Sequence, residues 1–96
     1  EAQEILNEVA SVDLESVLQA GSPNIKALQK LSQPRQSLVL RHWLKMTHQT
    51  TPSTVQMSEL LSQIEACTTR GHQLRLKVGR GYVRRDAEVL VWSVEA

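Results

Sequence analysis

The residues of this chain that could do chemistry are few: three histidines, one cysteine and a glycine pair flanking an arginine. His42 and His48 are six positions apart, which puts them on different faces of any helix, and His72 has neither within metal-ligand spacing. All three read as surface histidines. Glu59 and Glu65 are also six apart and do not converge as an acid/base pair. Cys67 is alone, so no internal disulfide and no cysteine-based zinc site can form. It reads as a small buried hydrophobe and agrees with a reducing cytoplasm. Gly79-Arg80-Gly81 lacks the third glycine and following helix of a dinucleotide loop, and no G-x-x-x-x-G-K-[ST] run exists. The expectation is a chain with no catalytic residues and no metal site of its own.

What remains is cationic. The net charge of +1 hides an asymmetry: residues 1–33 hold five acids and two bases, residues 34–96 nine bases and five acids. Between Arg70 and Asp86 stand six bases and one acid. Arg75, Lys77, Arg80, Arg84 and Arg85 fall in one short region, and Arg41 with Lys45 makes a second basic edge. Guanidinium groups grip phosphate oxygens in bidentate fashion, whereas lysine acts as a point charge. Such a surface would follow a polyanion backbone without reading sequence. The plain alternative is solvated strand and loop faces.

These side chains need elements to hold them. Ile5, Leu6 and Val9 have helical spacing over residues 2–10, and Ser11 or Asp13 could cap a second short turn with Leu14, Val17 and Leu18. Gly21 to Asn24 breaks the pattern, and Ser22-Pro23 suits a helix start with Ile25, Leu28 and Leu31 inward. A helix is expected over residues 33–48, capped by Ser32, with Val39, Leu40, Trp43 and Leu44 inward and Arg41, Lys45 and His48 on the opposite side. It should end before Thr50-Thr51-Pro52. Ser53-Thr54-Val55-Gln56 is a capping box that opens a helix over 54–68 with Met57, Leu60, Leu61 and Ile64 on one face, stopped by Gly71.

After Gly71 the period changes to two. Leu74, Leu76 and Val78 alternate with Arg75 and Lys77, Gly79-Arg80-Gly81 turns the chain, and residues 82–85 and 89–94 return as strands. Alternation puts Arg84 and Arg85 on opposite faces. The last strand is apolar on both faces, which calls for cover on both sides and hints at a missing neighbour. Trp43 is expected inside, and Trp92 partly exposed in this chain.

Composition sets the class. With 41% hydrophobic residues, 22% charged and 3% aromatic, the chain is a folding one whose core must be aliphatic. No run approaches the roughly 18 apolar residues of a membrane span, and the acidic start is not a signal peptide. The fold class expected is α+β: N-terminal helices (1–70) packed with a small C-terminal antiparallel sheet of two or three strands (71–96), within one domain.

The block Leu31-Ser32-Gln33-Pro34-Arg35-Gln36, then Leu40-Arg41-His42-Trp43-Leu44, then Pro52-Ser53, resembles the middle domain of the tRNA(Ile)-lysidine synthetases. There an L-S-x-x-R entry leads into an L-R-x-W-L helix and a P-S helix start. Val83-Arg84-Arg85 followed by Leu90-Val91-Trp92 is similar to the end of that domain. The resemblance covers roughly residues 28–94. Ala66 to His72 lacks the Asp and Pro of the family's stretch there, and Asp86 replaces the tyrosine after the arginine pair. The S-G-G-x-D-S type loop of the family's catalytic domain is absent.

The resemblance implies that the chain is a non-catalytic, tRNA-contacting adaptor cut from a larger cytoplasmic enzyme. The parent would be an ATP-dependent tRNA-modifying ligase: ATP first adenylates the wobble cytidine, and the amine of lysine then displaces AMP and is joined to C2. ATP and lysine would belong to the parent, none to this chain. The implied partners are tRNA and the catalytic N-terminal domain of the same polypeptide, with no membrane. Two other readings stand beside it. One is a protein-interaction or structural domain whose two-faced last strand docks a partner. The other is a helical DNA-binding domain using the Arg41/Lys45 edge, which the stiff Thr50-Thr51-Pro52 link disfavours.

Overall fold

The computed structural model describes residues 2–69 and 71–94. Arg70, counted above among the bases, lies outside them. Four helices lead into a three-stranded antiparallel sheet, so the architecture is α+β as the change of period predicts.

Helix α1 (Ala2–Val17) is continuous, not a short helix followed by a capped turn. Asp13, expected as a cap, is buried and turns toward helix α3 (Gln33–His48). Its carboxylate accepts from Nε of Arg35 at 2.9 Å and also from Nη2. With Asp13 engaged elsewhere, nothing interrupts the helical ladder until residue 17. Two two-residue strands follow, β1 (Leu18–Gln19) and β2 (Ser22–Pro23), turned through Ala20 and Gly21, both at positive φ. Ser22-Pro23 is therefore strand and not a helix start. The cap of α2 (Ile25–Gln29) is Asn24, whose Oδ1 accepts from the Ala27 amide at 2.8 Å.

Helix α3 has the expected bounds. Pro34 sits in its first turn, where a missing N–H costs no hydrogen bond. Val39, Leu40, Trp43 and Leu44 are all buried. The helix ends on Gln49 in the left-handed region, with the Thr50 amide donating back to Leu44 O at 3.1 Å. Helix α4 (Thr54–Glu65) opens with the predicted capping box: Ser53 Oγ accepts from the Gln56 amide, and Gln56 Oε1 from the Ser53 amide. It stops three residues short of 68, and Gly71 is not its stop. The side chain of Gln29 donates to Ile64 O at 2.8 Å and Cys67 O at 3.1 Å, satisfying carbonyls that a longer helix would have used.

Strands β3 (Arg75–Val78), β4 (Gly81–Asp86) and β5 (Val89–Ser93) pair in that order. Leu74, Val78, Val83 and Leu90 enter one core with Leu40, Trp43, Leu60 and Ile64. Both faces of β5 carry apolar residues, as expected: Leu90 is fully buried, while Val89 and Val91 opposite are half-buried. Its edge is partly taken, since Asn24 bridges Val89 and the Ile25 amide donates to Glu88 O at 2.9 Å. No helix among the described residues is long and apolar enough to cross a membrane.

Arg35 holds the Asp13 carboxyl below its ordinary range, chiefly by donating hydrogen bonds to it. A carboxylate with a depressed folded-state pKa stabilises the fold above its unfolded pKa, and that contribution is lost as pH falls through the folded value. The stability difference between the unmodified chain and Asp13→Asn should therefore be constant above about pH 5 and shrink below about pH 4. Urea midpoints measured from pH 6 to pH 2 check this; a difference independent of pH contradicts it.

Candidate nucleic-acid interface

The turn at Gly79-Arg80 sets the register of the hairpin: Val78 pairs with Gly81, Lys77 with Tyr82, Leu76 with Val83 and Arg75 with Arg84. Directly paired residues share a face. Leu76, Val78, Gly81, Val83 and Arg85 thus look toward the helices. Arg75, Lys77, Tyr82 and Arg84 look away from them, with Asp86 at the far end of the same row.

On this outer face the Arg75 guanidinium lies over the Tyr82 ring, 4.3 Å from its centre, a cation–π contact. Lys77 is exposed beside it. Arg84 is half-buried between them and β5. Its Nη2 donates to Ser93 Oγ at 2.9 Å, while its buried Nε has no acceptor among the described residues. Arg80 is exposed at the tip of the turn.

Arg85, expected in the same set, points the other way. Its Nε donates to Ala87 O at 2.8 Å, and its Nη1 to Thr69 O at 2.7 Å and His72 O at 2.9 Å. One guanidinium thus ties the β4–β5 turn to the connection between α4 and β3. It also lies near the Cys67 thiol, whose pKa burial raises and Arg85 partly offsets. Of the arginine pair, Arg85 is the structural member and Arg84 the one on the outer face.

The second basic edge is also divided. Arg41 is half-buried and donates to Pro52 O at 3.3 Å, bracing the link between α3 and α4, whereas Lys45 is exposed. Both line a groove between α1 and α3, with Leu6 and Ala10 opposite. His48 does not share that edge. Its ring packs edge-on against Trp43 at 5.2 Å and tilted against Trp92 at 5.0 Å, and burial lowers its pKa. It is a packed joint between α3 and the sheet, half-buried and outside the Arg41/Lys45 groove. Trp43 is 2% exposed and Trp92 half-buried, the latter donating from Nε1 to Val78 O at 3.1 Å. The i, i+5 spacing of Trp43 and His48 carries no signal of this, because the second tryptophan arrives from a distant strand.

The family model described as the TilS substrate binding domain matches residues 24–91, from the cap of α2 into β5. The chain belongs to that family. A tRNA(Ile)-lysidine synthase from Polaromonas naphthalenivorans (strain CJ2) is 52% identical over 93 residues. The match takes in 97% of this chain and 27% of that protein, so the chain spans about a quarter of its relative's length. No solved structure matches. The matched span of the TilS substrate-binding domain includes every strand cation named above and both arginines of the pair.

The two glycines of the hairpin turn are packed closely against their neighbours. A Cβ at Gly79 would overlap Thr50 Oγ1, and one at Gly81 would overlap Ser93 O and lie 2.7 Å from Trp92 Cζ2. Both positions thus need glycine for close packing, and Gly79 and Arg80 border a depression shared with His48, Gln49, Trp92 and Val94. Among the described residues no group of three His, Cys, Asp or Glu side chains could hold a metal ion.

The arginine pair gives a separable outcome. Arg85→Ala should lower stability by roughly 1–3 kcal/mol, since a charged donor to three carbonyls is lost. Arg85→Lys should not restore it, because one ammonium cannot span those acceptors. Arg84→Ala should change stability by less than about 1 kcal/mol, its one hydrogen bond being offset by removal of an unsatisfied donor. Chemical denaturation of the three variants checks the order.

Proposed function

We propose that this chain is the tRNA-contacting adaptor of a tRNA(Ile)-lysidine synthetase, holding the substrate while another part of the same polypeptide performs the reaction. The observation that carries the reading is the outer face of the sheet. Three cations, Arg75, Lys77 and Arg84, stand side by side on a wet surface around Tyr82, with Arg80 projecting from the adjoining turn. Family membership supplies the ligand class, and the charge supplies the mode.

Backbone phosphates are the groups such a face would bind. Strands lie about 4.8 Å apart, so cations on paired strands form a close row. Arg75, held over Tyr82, has part of its side-chain freedom already spent before a ligand arrives. Arg84 adds a half-buried guanidinium at the β5 side of the row, held there by its hydrogen bond to Ser93 Oγ. Contacts of this kind set register and affinity but carry no base identity. Discrimination of one tRNA from another would then rest on its shape or on other parts of the enzyme.

In this reading the chain is one module of a cytoplasmic enzyme. The parent joins lysine to the wobble cytidine at the expense of ATP, with ATP and lysine held outside this chain. Arg41 and Lys45, in the groove between α1 and α3, would form at most a secondary contact, and Arg85 none.

The test uses the full-length enzyme. Arg84→Ala and Lys77→Ala should each weaken tRNA binding and flatten the log Kd against log salt slope by about one unit, alike for cognate and non-cognate tRNA. If Arg75→Ala/Lys77→Ala/Arg84→Ala leaves both affinity and slope unchanged at full stability, the face is merely solvated and the assignment fails.

A further inference from the structure

Helix α1 carries more apolar surface than the rest of the chain covers. At 3.6 residues per turn its apolar positions span an arc of roughly 200°, whereas a helix with one packed side needs little more than about 100°. Ala10, Asp13 and Val17 mark the side buried against the remainder of the chain. Ile5, Val9 and Val12 lie roughly a third of a turn away, within an arc of about 60°. They are 61%, 37% and 66% exposed. Val9 and Val12 also wall a shallow depression of about 300 Å³ with Glu8, Asp13 and Arg35.

Charge narrows what could cover this stripe. Glu4, Glu8 and Glu15 form an exposed acidic row along its edge, at helical spacing from one another. That row repels phosphate, so the stripe is not an extension of the RNA-binding face. Antiparallel pairing of two copies about a twofold axis would set both acidic rows along the same edge, which disfavours self-association. A protein surface with an apolar centre and a basic rim satisfies both features.

Length says where such a surface can come from. Nearly three quarters of the 52%-identical synthase lies outside its match with this chain. The family match begins at residue 24, while the match to that synthase takes in nearly all of α1, whose inner side packs on α3. We propose that the Ile5–Val9–Val12 stripe is the docking surface for the remainder of the synthetase polypeptide, which meets it with an apolar patch rimmed by basic residues. The inference rests on the chain's being part of a longer enzyme but not on its binding tRNA.

The test is solvent access in the full-length enzyme without tRNA. Cysteine is introduced singly, as Val12→Cys or Val9→Cys, and maleimide labelling at that position is followed by peptide mass spectrometry, so native cysteines do not interfere. Both positions are exposed in the chain, so either variant should fold; an unchanged melting temperature confirms it. The expected result is labelling of the native enzyme at least about tenfold slower than in urea, at every protein concentration. Labelling as fast as in urea overturns the proposal. Protection that appears only at high protein concentration assigns the stripe to a second copy, and protection that needs added tRNA assigns it to the RNA; either overturns it. Failure of the tRNA-binding variants to change the salt slope would leave this result untouched.

Discussion

The register of β4 decides what this chain can present to a partner. Side chains alternate along a strand, so a slip of one residue would exchange the two faces entirely. In the observed register Val83 enters the core, Arg85 meets three carbonyls, and Tyr82 and Arg84 face out. The slipped register would drive Tyr82 and Arg84 against the aliphatic interior and expose Val83. Gly81 helps exclude it, being the one residue type that fits against Ser93 O and the Trp92 ring. The helices matter to the interface mainly because Leu40, Trp43, Leu60 and Ile64 provide the apolar floor that makes one face of the sheet the inner one.

Much of this was legible in the residues. Helix α3, the capping box of α4 and the change of period before β3 each rest on local chemistry: a proline in the first turn, a reciprocal pair of caps, strict alternation. What was not legible depends on partners distant in sequence. Asp13 looks like a cap until Arg35, 22 residues on, is seen to hold its carboxylate. Asn24 was hidden as a cap by the proline before it. The end of α4 is set by a glutamine 35 residues earlier.

The candidate site divides in the same way. Alternation alone separates Arg84 from Arg85, but which of them turns inward depends on the whole hairpin. The acceptors of Arg85 are main-chain carbonyls at residues 69, 72 and 87, and a carbonyl leaves no trace in a sequence. His48 was equally opaque. On the helix it continues a basic row, and Trp92 from the distant β5, 5.0 Å away, takes it out of that row.

Gly79 rests its backbone so closely on Thr50 that no side chain fits between them, while His48 lies wedged between Trp43 and Trp92. One contact sits at the tip of the hairpin and the other beneath its far strand. Together they tie the sheet to α3 and the residues just after it at two separate points. The cationic surface is therefore a plate of set curvature rather than a compliant pad. A ligand whose backbone bends differently must itself distort to touch all the cations at once, so its stiffness enters the affinity. On such a plate, were it to bind as proposed, selectivity among polyanions of equal charge would come from their elasticity, with no base read at all.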